Sequence, residues 1–352
     1  MAVLPTPVER AARLDRSGAE VWVKRDDLSS PAYGGGKVRK LEWLLANAPH
    51  DHPGRVLSFG AIGSHHLLAL AVHLGTLGRQ LDALVCDQVL TAHARDNLAA
   101  MASLGTRFWL GPGRPGLALA YARYLSDVPR SARGSRMEPG ASAPLGCLGY
   151  VEAALELAQQ VQQGLVPPPR RLYVTAGTSG TAAGLALGCA VAGLGVELCM
   201  VSAVERWAFN PVSFQLKLAQ LRAALGRWGL DLGRGSLQWI LRRAGVGLRF
   251  DHSAVGRGYA VPTAEGWASI DAAREAGLTL ESTYTGKCLA AMGRDLERRP
   301  AGGPVLWWNT HASNDVRRYV APGWRRRLPA ELAVLVDPAR RPVVGPAYAP
   351  QP

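Results

Sequence analysis

Lys37 is the residue whose type and setting best suit covalent chemistry. It follows three consecutive glycines in YGGGKVRKLE and opens a helical pattern, in a chain with only five lysines among its 40 Lys and Arg residues. A lysine amine can lose its proton and attack a carbonyl, whereas an arginine guanidinium stays charged. The helix N-terminus and the neighbouring cations Arg39 and Lys40 favour the neutral amine. A Gly-rich turn before a basic, solvated helix start would have the same pattern, so this motif alone leaves both interpretations open.

A second loop, TAGTSGTAAG at residues 175–184, follows an apolar run and leads into an apolar helical pattern. Small residues expose successive backbone N–H groups, and the helix dipole adds positive potential, so such a turn can hold a phosphate. The alternative is an ordinary strand-to-helix turn with a Ser or Thr cap. The loop matches neither the ATP-binding nor the dinucleotide-binding glycine pattern. A reactive lysine together with a separate phosphate site indicates pyridoxal 5′-phosphate (PLP), whose aldehyde bonds to an amine. The candidate phosphate-binding residues are Gly177, Thr178, Ser179, Gly180 and Thr181.

Alternating strands and helices have to position these loops. Apolar runs predict strands near 21–23, 55–59, 81–86, 171–175, 197–204 and 305–308. Helical spacing predicts helices near 38–45, 66–74, 92–104, 151–161 and 181–192, with further irregular helix over 205–245. This alternation predicts an α/β fold with two open, twisted, mostly parallel sheets and helices on both faces.

We expect two domains, because the Lys37 loop and the phosphate loop must meet. A large PLP-binding domain would combine residues 1–48 and 150–352, and a smaller α/β domain, 49–149, would be inserted between them. The cofactor would lie in the cleft, where ligands commonly bind at domain junctions and at the carboxyl ends of strands.

Composition excludes several classes of protein. The net charge is +13, but the arginines are spread along the chain and no nucleic-acid motif is present, so we expect no nucleic-acid partner.

The five cysteines are widely spaced and never form C-x-x-C, which argues against disulfides and a zinc site and suits a reducing, cytoplasmic compartment. The histidines form no metal-ligand pattern, so we predict no metal. The start of the chain lacks the apolar core of a signal peptide, and the most apolar stretch, 184–204, indicates a helix and a strand rather than a membrane span.

Six stretches resemble one enzyme family in order and over most of the chain. The chain resembles the D-cysteine desulfhydrase and 1-aminocyclopropane-1-carboxylate (ACC) deaminase family, within the tryptophan-synthase β-like, fold type II PLP enzymes. Its G-K-x-R-K-L-E and Y-T-G-K motifs are distinctive. The stretches are KRDDLSSPAYGGGKVRKLE, SFGAIGSHH (58–66), PGASAPLGCLGYVEAALEL (139–157), TAGTSGTAAGL (175–185), GRGYAVPTAEG (256–266) and TYTGKCLAAM (283–292).

The resemblance implies a role for each matching residue. Lys37 matches the lysine that forms the Schiff base with PLP, and Lys40 matches a phosphate contact. Residues 177–181 match the phosphate loop, and Thr310 matches the threonine near the pyridine nitrogen. Ser64, Tyr259 and Tyr284 match catalytic residues on the substrate side.

Several positions depart from the family pattern. Gly36 stands where the family has Asn, and Gly63-Ser64-His65 where it has Gln-Ser-Asn. That second Asn bonds the phenolic oxygen of the cofactor, a role that His65 would take over. Asn309-Thr310-His311-Ala312 replaces His-Thr-Gly-Gly. The residues that hold PLP therefore look kept, while the pocket is remodelled.

The residues of Y-T-G-K favour one branch of the family. Thr285 stands where ACC deaminases have Glu, and with Thr310 it offers only a neutral hydroxyl near the pyridine nitrogen. We therefore expect a PLP-dependent lyase or deaminase that acts on a small amino acid by α,β-elimination and releases ammonia and a keto acid, as a homodimer. ACC deamination, other β-elimination or β-replacement, and PLP binding without turnover stay open, as does a basic nucleic-acid or scaffold protein on an old enzyme fold.

Overall fold

The computed structural model describes residues 1–47, 54–112, 116–337 and 339–345. The strands are β1 (Val8–Arg10), β2 (Val21–Arg25), β3 (Arg55–Ala61), β4 (Gln80–Cys86), β5 (Arg107–Gly111), β6 (Ser135–Arg136), β7 (Arg171–Ala176), β8 (Glu197–Ser202), β9 (Gly247–Asp251) and β10 (Val305–Asn309). The helices are α1 (Gly36–Ala46), α2 (His65–Thr76), α3 (Ala92–Ser103), α4 (Leu117–Asp127), α5 (Pro144–Gln162), α6 (Gly180–Ala192), α7 (Pro211–Arg227), α8 (Leu237–Arg243), α9 (Ala264–Glu275), α10 (Thr285–Arg298) and α11 (Ala330–Leu335). Within these residues, no helix is long and apolar enough to cross a bilayer.

The larger of two compact units consists of Ala2–Leu44 and Ser142–Ser313. Its six-stranded sheet has the order β1-β2-β10-β7-β8-β9, parallel except for the β1–β2 pair. Alternate side chains of β10 point to opposite faces of the sheet. Leu306 and Trp308 pack with α5, α6 and α7, whereas Val305 and Trp307 pack with α9 and α10. A sheet covered on both faces needs central strands that are buried throughout, which is why β7, β8 and β10 are almost entirely buried and largely apolar.

The smaller unit consists of Leu45–Ala141 and Asn314–Pro352, with Met1. Its four strands have the order β5-β4-β3-β6 and are all parallel. Leu57 of β3 and Leu84 of β4 pack against Ala120 and Tyr124 of α4. The predicted α/β class, with two mostly parallel sheets, is therefore confirmed.

The division of the chain differs from the expected one at its C-terminal end. Residues 314–352, which the sequence assigned to the larger domain, group with the smaller unit, and residues 142–149 group with the larger one. The reason is local pairing: Ala321 N–H donates to Ser103 Oγ at 2.9 Å, and Val344 N–H donates to the Leu90 carbonyl at 2.8 Å. The expected boundary at residues 48 and 49 lies outside the described residues.

Candidate active site

The glycine bend before Lys37 is held by backbone hydrogen bonds. Gly35 has a φ of +85°, and its N–H donates to the Asp26 carbonyl at 2.8 Å. Gly36 N–H donates to the Thr310 carbonyl at 3.0 Å, just beyond the end of β10. A Cβ on Gly35 would lie 2.8 Å from that same carbonyl oxygen, so the close approach requires glycine. The bend thus places Lys37 in the first turn of α1, at the carboxyl end of the central strand.

The amine of Lys37 is prepared for nucleophilic attack. Part of the side chain is accessible, yet burial, together with the smaller effect of the Lys40 charge, lowers the pKa of the amine to about 7. Burial also lowers the pKa of Lys40, to about 8. At neutral pH a large share of Lys37 is therefore neutral, while Lys40 stays mostly cationic.

Lys40 and two hydroxyls converge beside the start of α6. Lys40 is almost fully buried, and its Nζ lies 3.4 Å from Ser142 Oγ, which in turn lies 2.6 Å from Thr178 Oγ1. A Cβ on Gly180 would lie 2.6 Å from Ser142 Oγ and 2.9 Å from Lys40 Nζ. Glycine at 180 is thus the only residue that lets these donors and the helix N-terminus share one small space.

The turn between β7 and α6 has the backbone that an anion site needs. Ser179 adopts a left-handed φ of +65°, and its side chain makes no capping hydrogen bond to α6. The first N–H groups of a helix have no intrahelical partner and carry its positive end. Thr178 and Thr181 lie on either side of Ser179 and Gly180, so the five predicted residues form one turn at the carboxyl end of β7.

Two tyrosines stand beside this turn. The Tyr284 hydroxyl donates to the Tyr259 hydroxyl at 3.0 Å, and the two rings are arranged edge to face. A Cβ on Gly177 would lie 3.6 Å from Cε1 of Tyr284, so the Tyr284 ring flanks the turn. The larger unit therefore brings together Lys37, Lys40, residues 177–181, Tyr259, Tyr284 and Thr310.

Ser64 and His65 lie in the smaller unit, at the start of α2. Ser64 caps the helix by accepting from Leu67 N–H at 3.3 Å, and His65 stacks on His93 with ring centroids 5.4 Å apart. A Cβ on Gly63 would lie 2.4 Å from Ala94 Cβ, so the family's Gln cannot fit here without a shift of α3. The roles of Ser64 and His65 stay predictions.

The sequence analysis missed a buried tyrosine behind the bend. A Cβ on Gly36 would lie 1.9 Å from the hydroxyl of Tyr150, which donates to Asp26 Oδ2 at 3.0 Å. Tyr150 thus fills the space where the family's Asn would begin. The only signal in the sequence was the unusual Gly36, and a departure at one position does not reveal which side chain compensates.

Comparisons with known proteins agree with this geometry. Residues 1–310 match the family described as "Pyridoxal-phosphate dependent enzyme". The chain belongs to this family. D-cysteine desulfhydrases of Salmonella newport and Salmonella typhimurium are each 32% identical to it over 320 residues, which is 87% of this chain and 91% of theirs.

Solved structures show the same fold. An ACC deaminase homologue has a TM-score of 0.72 at 23% identity, with 88% of this chain and 90% of that chain covered. A threonine deaminase isoform 2 from Solanum lycopersicum has a TM-score of 0.56 at 14% identity, with 90% and 84% covered. The protein is a PLP-dependent lyase of the desulfhydrase and ACC deaminase family.

The residues present suit this cofactor. Lys40, Ser142 and Thr178 supply one cation and two hydroxyls around a glycine that leaves no room for a side chain, which fits a phosphate ester. Lys37 supplies an amine with a pKa of about 7 for the aldehyde.

Proposed function

We propose that the protein acts as a D-cysteine desulfhydrase-like lyase. It would convert a small amino acid with a β-leaving group, such as cysteine, and water into a keto acid, ammonia and the free leaving group, here hydrogen sulfide. The observation that carries this proposal is the Lys37 amine, with a pKa lowered to about 7, in the same unit as the Lys40–Ser142–Thr178 cradle. The 32% identity to D-cysteine desulfhydrases supports the choice of substrate.

PLP, when bound, supplies an aldehyde that holds the substrate amine and an electron-withdrawing ring that acidifies the α-proton. Lys37 would hold the cofactor through its Nζ, and the same amine, when neutral and not bonded to the cofactor, would accept the α-proton of the substrate. Lys40 and the turn 177–181 would bind the phosphate, with Ser142 and Thr178 as hydroxyl donors. Thr310 would offer the pyridine nitrogen a neutral hydroxyl rather than a carboxylate, which would favour prompt loss of the β-substituent.

The tyrosine pair is proposed to protonate the leaving group. The Tyr259 and Tyr284 hydroxyls are hydrogen-bonded to each other at 3.0 Å, and a phenolic O–H would give a departing thiolate its proton. Ser64 is proposed to orient the substrate carboxylate, and His65 to bond the phenolic oxygen of PLP.

Covalent trapping tests the central assignment. Reduction of the PLP-loaded protein with borohydride should attach the cofactor permanently to Lys37, and peptide mass spectrometry should find the adduct there. Lys37→Ala should show no adduct, whereas Lys217→Met, which removes an α7 amine that affects the site only through its charge on Lys40, should still show the adduct on Lys37. An adduct on another lysine, or none, would refute the assignment.

A substrate panel then tests the reaction. Sulfide and keto-acid release from D-cysteine, with less from L-cysteine and none from ACC, would support the proposal. Release of ammonia from ACC without sulfide from cysteine would favour the ACC deaminase-like alternative. A loaded protein that turns over no member of a D- and L-amino acid panel would favour PLP binding without turnover, through the changes at Gly36, Gly63, His65 and His311.

A homodimer and a cytoplasmic location belong to the same proposal. None of the five cysteines forms a disulfide and all are buried, which suits a reducing compartment. Light scattering of the purified protein should give twice the 37.5 kDa mass of the chain. A mass of one chain would refute the homodimer but would leave the proposed reaction unaffected. Fractionation of the native cell would test the cytoplasmic location.

A further inference from the structure

The segment that carries Tyr259 has an unusual backbone. We call residues 255–260 the tyrosine loop. Gly256 has a φ of +64°, Gly258 a φ of +137°, and Ala260, a residue with a side chain, a φ of +60°. Backbone of this kind persists only when the surroundings hold it in place. The loop must therefore be anchored from outside.

Lys287 provides that anchor. It is the third residue of α10 and fully buried, and its Nζ donates to the carbonyls of Val255 at 2.8 Å and Gly258 at 3.2 Å. Its amine thus bridges both sides of the turn that precedes Tyr259. Burial lowers the pKa of this amine to about 8, while the charges of Glu281 and Glu205 act in the opposite direction and favour the ammonium form.

The same two carboxylates hold the backbone of the two tyrosines. Glu205 Oε1 accepts from Tyr259 N–H at 3.0 Å. Glu281 accepts from Tyr284 N–H at 2.9 Å and from Thr285 N–H at 2.8 Å, at the start of α10. The carboxylate that fixes Tyr259 and the carboxylate that fixes Tyr284 therefore both favour the charged form of the same buried amine.

We propose that Lys287 is a positioning residue for the tyrosine pair. Through the carbonyls of Val255 and Gly258, and with Glu205 and Glu281, it keeps the Tyr259 hydroxyl within hydrogen-bond distance of the Tyr284 hydroxyl. Lys287 itself donates to protein carbonyls and takes no part in the reacting atoms. The catalytic part of this inference rests on the proposed function, because it assumes that Tyr259 acts on the substrate.

A double-mutant cycle tests the inference. Lys287→Met removes the donor but keeps the length of the stem, and it should lower kcat/KM about 10-fold or more through misplacement of Tyr259. Because Lys287 acts through Tyr259, the same change in a Tyr259→Phe background should add less than about 2-fold. If the loss of kcat/KM in the double variant equalled the product of the two single losses, Lys287 would act independently of Tyr259, and the inference would be overturned.

Two further measurements do not depend on turnover. Hydrogen exchange of the amides of residues 255–261 should quicken in Lys287→Met and stay at the wild-type rate in Tyr259→Phe, while borohydride still traps the cofactor on Lys37. Unchanged exchange in Lys287→Met would overturn the inference even if the protein proved inactive, and loss of trapping at Lys37 in the wild type would refute the proposed function alone.

Conservative variants distinguish the loss of one hydrogen bond from general misfolding. Lys287→Gln keeps an N–H donor without the charge and should retain more kcat/KM and slower exchange than Lys287→Met. Glu205→Gln keeps the oxygen that accepts from Tyr259 N–H, whereas Glu205→Ala removes it. Exchange in residues 255–261 should therefore quicken in Glu205→Ala more than in Glu205→Gln, and equal exchange in these two variants would contradict the anchoring scheme.

Discussion

Four of the five lysines, Lys24, Lys37, Lys40 and Lys287, have burial that lowers the pKa of the amine. Lys24, Lys40 and Lys287 are buried, and Lys37 and Lys217 are partly so. Lys24 donates to the Thr6 carbonyl and to Gln160, and it pairs with Glu156. A compact ammonium on a flexible stem suits such places better than the wide fork of arginine. This is why the rarity of lysine led to the candidate site.

The first prediction concerns the pH dependence of cofactor capture. With a pKa of about 7, Lys37 is increasingly protonated as the pH falls, so the rate at which apoprotein captures pyridoxal should fall about tenfold per unit below that pKa and level off above it. Lys40→Met removes a like charge, so the pKa of Lys37 should rise and the midpoint should move to higher pH. Pyridoxal without phosphate is the probe, because it separates this charge effect from phosphate binding. An unmoved midpoint would exclude the influence of Lys40.

The second prediction compares two glycines of one turn. Gly180→Ala would place a methyl 2.6 Å from Ser142 Oγ and 2.9 Å from Lys40 Nζ, so the affinity for PLP should fall at least tenfold. Gly177→Ala is the matched control, since its methyl would meet Tyr284 Cε1 at 3.6 Å and Val204 Cγ1 at 3.9 Å, both ordinary contacts. Titration of both apoproteins with PLP measures the difference. Equal affinities would argue against the cradle.

At the scale of elements, Asp26 ties three of them together. Its carboxylate is fully buried and accepts from Arg39 of α1 at 2.9 Å, Tyr150 of α5 at 3.0 Å and Trp308 of β10 at 2.7 Å. Asp26 and the side chains that donate to it therefore form a buried polar cluster. The cluster fixes α1, and with it the bend that presents Lys37.

The third prediction follows from this cluster. Asp26→Asn leaves the Arg39 guanidinium short of a buried partner and should lower the free energy of unfolding by about 3–5 kcal/mol. Asp315→Asn removes a carboxylate of an exposed pair with Arg317 and should cause no measurable change. Denaturant unfolding measures the free energy of unfolding of both variants. An equally small change in the two would show that the fold does not need the Asp26 carboxylate.

The fourth prediction addresses the departure at Gly36. Gly36→Asn forces its Cβ against the Tyr150 hydroxyl and should cost about 1–3 kcal/mol of unfolding free energy. Tyr150→Phe removes that hydroxyl, so the double variant should lose less than the sum of the two single losses. Strict additivity in thermal or denaturant unfolding would show that the two residues do not compete for one space.

Sequence reasoning was reliable for elements with a strong period and poor for short ones. It placed β2, β3, β4, β7, β8 and β10 and the helices α1, α2, α3, α5 and α6, because each is an apolar run or has clear helical spacing. It did not place β1, β5, β6 or β9, which are short and partly exposed, and it did not place α4, α9 or α10. It named the Lys37 and 177–181 loops by motif, but Tyr150, Glu205 and the role of Lys287 depend on side chains that meet only in the folded chain.

At the scale of the whole molecule, residues 314–337 belong structurally to the smaller unit. Leu332 on α11 is fully buried, and Arg327 donates to the Ser103 carbonyl at 2.8 Å. The sequence does not predict this packing, because a short irregular segment with many arginines has no hydrophobic periodicity that indicates which unit it packs against. The segment is nonetheless part of that unit's core.

The fifth prediction tests that assignment on one helix. Leu332→Ala should lower the free energy of unfolding by about 2–5 kcal/mol through the cavity that it leaves. Val334→Ala, two residues away with 49% of its side chain exposed, should change it by less than about 0.5 kcal/mol. Thermal unfolding and limited proteolysis should both separate the two variants. Equal stability would mean that α11 is dispensable.

The strand order of the larger sheet has a consequence for synthesis on the ribosome. β10, residues 305–309, is inserted between β2 and β7, although more than 300 residues of chain precede it. The neighbours that flank it cannot pair with it until it has emerged, whereas all four strands of the smaller sheet lie before residue 137. A nascent chain stalled near residue 300 should therefore be able to form the smaller sheet while the larger sheet still exposes the unpaired edges of β2 and β7.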